Sequence, residues 1–511
     1  MSHKDKMILF HEKKKHHLNM GGEEKLRARK AAGKLNVRER IAYFFDGGTF
    51  QELGLFAHSD RPGMAESTPT DGKIIGYGLV DGRSTLLAAN DMTVLGASSA
   101  STNMKKIEYV RFVSCEKGIP LVFLGESTGA RMPDSLGSFG MGHGGQNRAQ
   151  YRRLREAPWI SVLLGPCYGS SSWYSAMSDI RVMLKGAVMA VSSPKVTQIA
   201  TGEDTPPEQL GGWKVHSEIT GLVDVVGDTE QECMDLAKRF LTYLPLNSRE
   251  LPARAPVPEG SGQEMPHILD SLPEQRNRVY DIRRIAKAIV DGGEILELKE
   301  NFGRACVTAF ARLNGHAIGL VANNPLYGAG ALDADCCEKI TNFLVLCDSF
   351  NIPIVTLVDT PGFLVGKEGE RRKIVGKIIN WMNALSLVTV PKLTVVIRKI
   401  YGQAYLNMGG GRYSDAFVAW PTAEVSFMDP EPGINVVYNV KRENDSEAFE
   451  RLLKEMTKNT EPWDAAGIFG INEIIDPAET REFLIRMLAL HHDRGRGGLG
   501  QHLLHAWPTS Y

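Results

Sequence analysis

The chain has 511 residues, 59 Lys and Arg against 60 Asp and Glu, 43% hydrophobic residues and 52 glycines. That length exceeds one ordinary hydrophobic core and predicts two domains of roughly 200–250 residues each. A formal charge of −1 excludes an overall basic footprint for nucleic acid, and no run approaches the ~20 apolar residues of a membrane span.

From the N-terminus, MSHKDKMILFHEKKKHH has too short an apolar stretch for a secretory signal. Being Lys- and His-rich rather than Arg- and Ser-rich, it also makes a poor transit peptide. It predicts a solvated, partly disordered leader. Apolar runs bounded by Gly or Pro follow (LLAAN, PLVFLGE, ISVLLGP). They lack polar alternation, as strands buried on both faces do. Between them, Met104–Glu116 and Cys336–Phe350 have helical spacing. Strand, helix, strand and Gly-rich turn spell a parallel α/β arrangement, whose ligands sit beyond the carboxyl ends of the strands.

One offset of 233 residues maps Gly82 onto Gly315, Asn90 onto Asn323, Pro120 onto Pro353, Glu126 onto Asp359, Gly129 onto Gly362 and Gly169 onto Gly402. The chain is therefore an internal duplication. Between the copies, residues 251–265 (LPARAPVPEGSGQEM) have the Pro, Gly and Ala content of a linker. The expected domains are 1–250 and 266–511.

The paired turns at Gly169 (GPCYGSSSW) and Gly402 (RKIYGQAYL) each end an apolar strand and open a segment of helical pattern. Glycine there frees backbone N–H groups to point outward, and two such donors make an oxyanion hole. A helix cap with no chemistry is the plainer alternative. Glu126 and Asp359 are the pair a side-chain acid or base mechanism would need. His143, in GMGHGGQ, reads as an exposed loop histidine. Lys105–Lys106 and residues 369–373 (GERRK) read as solvated helix faces. The seven cysteines have no CxxC or Cys/His metal spacing, so no metal site is expected, and they read as buried, reduced thiols of a cytoplasmic protein.

DGKIIGYGLVDGRSTLLAANDMTVLGAS, ESTGAR, TGEDTPPEQLGG, DTPGFL, VTVPKLTVVIRKIYGQAY and AWPTAEVSFM resemble the carboxyltransferase (beta) subunits of biotin-dependent acyl-CoA carboxylases, of the propionyl-CoA and methylcrotonyl-CoA carboxylase kind. The likeness runs from about Lys30 to Arg481. It implies two tandem crotonase-like ββα-superhelix domains, the acyl-CoA on the N-terminal half and biotin on the C-terminal half. It further implies a hexamer, with the active site at a dimer interface. Carboxybiotin would come on a carrier of a separate biotin carboxylase/carrier subunit and would itself supply CO₂ and the base.

The positions that match the family's motifs are Gly169 and Ser170 for the enolate, and Gly402 and Gln403 for the biotin side. Gly96, Ala97, Gly129, Ala130, Arg131 and Tyr168 would lie around the acyl group. Asp415 would influence acyl-chain choice, Arg38 and Arg40 would lie near the nucleotide of CoA, and Pro361, Gly362 and Tyr401 would meet biotin. Ser170 and Gln403 stand where relatives carry glycine, which raises the expectation of an unusual acyl group. A decarboxylase of the same fold, a biotin-free hydrolase or isomerase, and an assembly subunit remain open.

Overall fold

The computed structural model describes residues 1–143, 151–491 and 499–508. It divides the chain into two compact units, Met1–Glu250 with the residues from His505 on, and Leu251–Leu504. The C-terminal residues were expected in the second domain. They join the first unit because the Arg155 guanidinium donates to the carbonyls of His505 and Trp507 at 2.9 and 2.7 Å. The expected linker is packed onto the second unit. Ala255 N donates to Gly315 O at 2.9 Å, and Met265 is buried in that unit's core.

The first unit holds strands β1 (Gln51–Leu53), β2 (Lys73–Val80), β3 (Arg83–Asn90), β4 (Leu121–Ser127), β5 (Trp159–Tyr168), β6 (Ile180–Leu184), β7 (Val188–Ala190) and β8 (Val225–Gly227). They lie in the order β1-β2-β3-β4-β5-β6-β8, with β7 beside β5. The first three pair antiparallel and β3 to β6 pair parallel. The second unit repeats this with β9 (Ile295–Leu298), β10 (Cys306–Leu313), β11 (His316–Asn323), β12 (Ile354–Thr360), β13 (Lys392–Tyr401), β14 (Ala416–Ala419), β15 (Glu424–Ser426) and β16 (Glu473–Ile474).

The 233-residue offset survives as strand register. Leu86 opposes Leu121 as Gly319 opposes Ile354, and Leu121 opposes Trp159 as Ile354 opposes Lys392. Even the register break recurs, between Gly125 and Ser127 and between Val358 and Thr360. The central strands are buried along their lengths, as their unbroken apolar runs require.

Two expectations change here. The N-terminal segment is a helix, His3–Leu18, closed by a Ser2 and Asp5 capping box. It is tied down where Thr70 N donates to the buried His17 ring at 3.1 Å and Phe10 packs on Phe56. Lys106 is not solvated either: its ammonium is buried and donates to the carbonyls of Gly54, Thr70 and Lys73. Lys105 is exposed, and in the 369–373 cluster Arg372 pairs with Asp335. The side chain of His143 and the stretch after it lie outside the described residues. Among the described residues no helix is long and apolar enough to cross a membrane.

Candidate active site

At the end of β5 the chain turns at Gly169, with φ 60° and ψ −125°, and enters the helix Ser170–Met177. Such a backbone suits glycine and few other residues. The turn's N–H groups do not all face outward. Gly169 N donates to Val191 O at 3.2 Å, while Ser172 N and Trp173 N return to Gly169 O. The N–H groups of Ser170 and Ser171 have no acceptor among the described residues.

The second unit repeats the pattern: Gly402 N donates to Ser426 O at 3.0 Å and Tyr405 N returns to Gly402 O, leaving Gln403 N and Ala404 N without acceptors among the described residues. The donor pair in each unit thus lies one residue beyond the glycine. Gly169 and Gly402 shape the turns, but their own N–H groups are occupied.

Two loops of the first unit converge on this turn. Ser99 N donates to Gly129 O and Arg131 N to Ser99 O, both at 2.8 Å, and Thr128 N donates to Gly96 O at 3.0 Å. A Cβ on Gly129 would lie 3.6 Å from that of Tyr168, and one on Gly169 would lie 3.8 Å from Gly129 Cα. Gly96, Ala97, Gly129, Ala130, Tyr168, Gly169 and Ser170 are therefore brought together. In the second unit Leu332 N donates to Gly362 O at 2.9 Å. Thr360 Oγ1 accepts from Gly362 N at 3.1 Å and donates to Gly330 O at 2.8 Å. Pro361 lies in this loop, and a Cβ on Gly362 would meet Tyr401 O at 3.5 Å.

Several expected site residues are occupied elsewhere. The buried Arg131 guanidinium donates to Asp71 at 2.7 Å and to Ser98 at 3.3 Å, bracing the Gly96 loop from behind. Arg40 is 1% exposed and donates in bidentate fashion to Glu230 and singly to Glu126. Arg38 is half-buried against Glu52. Arg40 is not available to a CoA phosphate, whereas Arg38 stays partly exposed and its Nε has no partner among the described residues.

The Tyr401 hydroxyl donates to Glu424 and accepts from Arg276, both at 2.6 Å; burial holds its ionisation well above the ordinary phenol range. It is a buttress beneath the turn. Asp415 accepts from Lys392 N at 2.8 Å, at the opposite end of β13 from Gly402. At about 3.3 Å per residue that is roughly 30 Å away, so the structure does not bring Asp415 to the turn.

The side chains at the two departures from glycine leave the turns open. Gln403 Nε2 donates to Asn407 Oδ1 one helical turn on, at 3.2 Å. Ser170 Oγ turns to Ser99 Oγ at 2.6 Å.

The suspected acid and base are locked. Glu126 is 1% exposed and accepts from Arg29 at 3.1 and 2.6 Å and from Arg40 at 2.7 Å. A Cβ on Gly165 would strike its carboxylate at 2.7 Å. The offset maps Gly165 onto Arg398, which there supplies the counter-ion itself. Asp359, wholly buried, accepts from Arg398 Nε and Tyr280 Oη, each at 2.9 Å. Burial pushes Asp359 up and Arg398 draws it back.

A carboxyl transferase domain model matches residues 28–499. The chain belongs to the carboxyl transferase domain family. It is 36% identical over 509 residues to the propionyl-CoA carboxylase carboxyltransferase subunit of Haloferax mediterranei, covering 96% of each chain. It is 34% identical over 479 residues to the methylmalonyl-CoA carboxyltransferase 12S subunit of Propionibacterium freudenreichii, covering 92% of this chain and 91% of that one. The methylmalonyl-CoA decarboxylase subunit alpha of Propionigenium modestum is 32% identical over 496 residues, covering 95% and 96%. Among solved structures, the transcarboxylase 12S hexamer, with methylmalonyl-coenzyme A and methylmalonic acid bound, superposes with a TM-score of 0.88 at 32% identity over 97% of both chains. The tandem α/β architecture read from the duplication is this family's fold.

What sequence reasoning missed in this carboxyl transferase fold is a buried polar group behind the acyl turn. The wholly buried Lys73 Nζ donates to Ala97 O at 3.1 Å and to Asn90 Oδ1 at 3.2 Å. The signal was a lysine at the head of an apolar strand (KIIGYG), where the second copy has Cys306.

Burial lowers Lys73 to about 7 and Lys106 to about 8, from an ordinary 10.5. Between those values and about 10.5 the unfolded chain holds more protons than the folded one, so stability rises with pH across that window. Urea unfolding of wild type and Lys73→Met between about pH 7 and 10 is expected to show the wild type gaining on the variant as pH rises. A gap that stays constant contradicts the assignment.

Proposed function

We propose that the chain transfers a carboxyl group between carboxybiotin and the α-carbon, or vinylogous carbon, of an acyl-CoA. The carboxybiotin would be carried by a separate biotin carboxylase/carrier subunit. The observation that carries this reading is the pair of equivalent turns, each offering two backbone N–H groups without an acceptor among the described residues, in a protein whose Glu126 and Asp359 are locked in ion pairs. Such a site stabilises an anion but supplies no side-chain base. This argues against a biotin-free hydratase or isomerase built on that pair.

The first turn suits a thioester enolate: its donors are Ser170 N and Ser171 N, at the start of a helix whose dipole favours negative charge. The second turn suits a ureido oxygen, which would carry negative charge once CO₂ has left. Its donors, Gln403 N and Ala404 N, open a helix of only four residues, and a Cβ on Gly402 would sit 3.1 Å from Phe427 O, so the turn packs directly on the Phe427 backbone. When bound, carboxybiotin would supply the CO₂ and take up the α-proton. The chain's part is to hold the thioester oxygen, orient the acyl group and keep the two reactants in register. A homohexamer, with the active site completed between protomers, is the assembly this reading expects.

The reverse direction is the second reading, because the same donors stabilise the same enolate and a methylmalonyl-CoA decarboxylase subunit is among the relatives. The test is to purify the chain with its biotinylated partner and assay ATP- and bicarbonate-dependent carboxylation over a panel of acyl-CoAs. Carboxylation that requires the partner is expected. ATP-independent decarboxylation of a carboxyacyl-CoA would establish the reverse reading, and turnover without biotin would refute both. An intact complex inert toward every acyl-CoA would mean an assembly subunit.

A further inference from the structure

The duplication supplies an internal control: a polar residue present in one copy and absent from the other is not there to make the fold. Lys73, Asp71, Arg131, Ser99 and Ser171 in the first unit are Cys306, Arg304, Leu364, Leu332 and Ala404 in the second. Asn90 is kept as Asn323 but rewired. In the first unit Asn90 accepts from Lys73 and its Nδ2 donates to Ser171 Oγ at 3.2 Å. In the second, Asn323 Oδ1 accepts from Asp359 N at 3.2 Å and its Nδ2 has no partner among the described residues.

The direction of the first network is fixed by chemistry. An ammonium only donates, so Asn90 turns its oxygen to Lys73 and its amide hydrogens to Ser171. Ser171 Oγ therefore accepts, leaving its own hydroxyl proton to be donated onward, with no acceptor among the described residues. The second arm of Lys73 grips Ala97 O, which also accepts from Ser127 Oγ at 3.0 Å. That loop needs holding. Leu95, Gly96 and Ala97 have φ of 46°, 62° and 49°, and left-handed backbone at non-glycine residues is strained.

We infer that Lys73 is a positioning residue of the acyl turn. It clamps the Gly96–Ala97 loop and drives a one-way chain of donors through Asn90 to Ser171, giving this turn a bias toward anions that the second turn lacks. The ligand class it fits is a CoA thioester at the moment it becomes an enolate. The inference rests on the acyl-CoA reading above. The groups facing the ammonium are Asp71, Arg131, Lys106 and Cys167. Asp71 is already paired with Arg131, so the positive charge behind the turn is not fully offset. Burial favours the neutral amine at alkaline pH, so the bias weakens as pH rises through about 7.

Equilibrium binding to the full chain tests this without turnover. The probes are a nitroalkyl-CoA in its nitronate form, an anionic enolate analogue, and the unreactive neutral thioether of the same length. Wild type at pH 6.5 is expected to prefer the nitronate roughly tenfold more than Lys73→Met does, a share of the effect known for a single oxyanion donor. The excess should vanish by about pH 9. Asn90→Leu, which cuts the chain but keeps the ammonium, should lose part of the preference and retain its pH dependence, and it stands in should Lys73→Met fail to fold. An equal preference in wild type and both variants, or one independent of pH, overturns the inference. A wild-type chain that binds neither probe would instead overturn the acyl-CoA reading.

Discussion

Ser170→Pro is expected to lower kcat for carboxyl transfer by about 10²–10³-fold, the cost of removing one oxyanion donor. The substitution suits the structure. Ser170 is the first residue of its helix, where proline's fixed φ is compatible and the missing N–H has no intrahelical partner. It deletes the backbone donor and leaves the helix in place; Ser170→Ala, which loses only the hydroxyl contact with Ser99 Oγ, is the control. Proline at Gly169 would be a worse probe, because a φ of 60° is closed to it. Gln403→Pro makes the same deletion in the other unit, where φ is −61° and ψ −26°. Steady-state kinetics of each variant, with thermal unfolding to show an intact fold, checks both. Retention of kcat within about threefold would remove these amides from the chemistry.

Arg40→Met is expected to destabilise the first unit by about 3–5 kcal/mol, because breaking a buried ion pair leaves a charge without its partner. Arg40 serves two carboxylates, Glu126 and Glu230. Arg29 still holds Glu126 after the change, and Glu230 is left with no other salt-bridge partner among the described residues. Replacing both Arg40 and Glu230 with apolar residues should recover part of the loss. Urea unfolding of the single and double variants measures this directly. A single variant within about 1 kcal/mol of wild type would show that the Arg40–Glu230 pair does not hold the unit together.

Much of this was legible in the sequence because a duplication writes every constraint twice. Gly169 and Gly402, or Pro120 and Pro353, mark one backbone in two places, and the strand registers follow the same offset. The glycine loops were legible for the same reason. Charged residues were not, because sequence shows that a charge exists but not what neutralises it. Arg40, Lys106 and Arg131 look like surface or ligand-facing residues until Glu230, the Gly54 carbonyl and Asp71 are seen against them. Asp415, taken from the family's motif, lies just before a strand whose neighbour carries the turn at its far end, so within one chain it stands apart from Gly402. The donors themselves shifted by one residue. Only the hydrogen bonds from Gly169 to Val191 and from Gly402 to Ser426 decide which amides remain open.

Carboxyl transfer between biotin and an acyl-CoA at these two turns can be followed apart from the ATP-driven carboxylation of biotin. The most direct measurement is a single turnover without ATP, in which a purified carrier with a radiolabelled carboxyl group on its biotin is mixed with the chain and an acyl-CoA. Acid-stable label on the CoA thioester, formed by wild type and lost in Ser170→Pro, is the predicted result. Label that stays on the carrier or escapes as CO₂ with every acyl-CoA, from a folded wild-type chain, would contradict it.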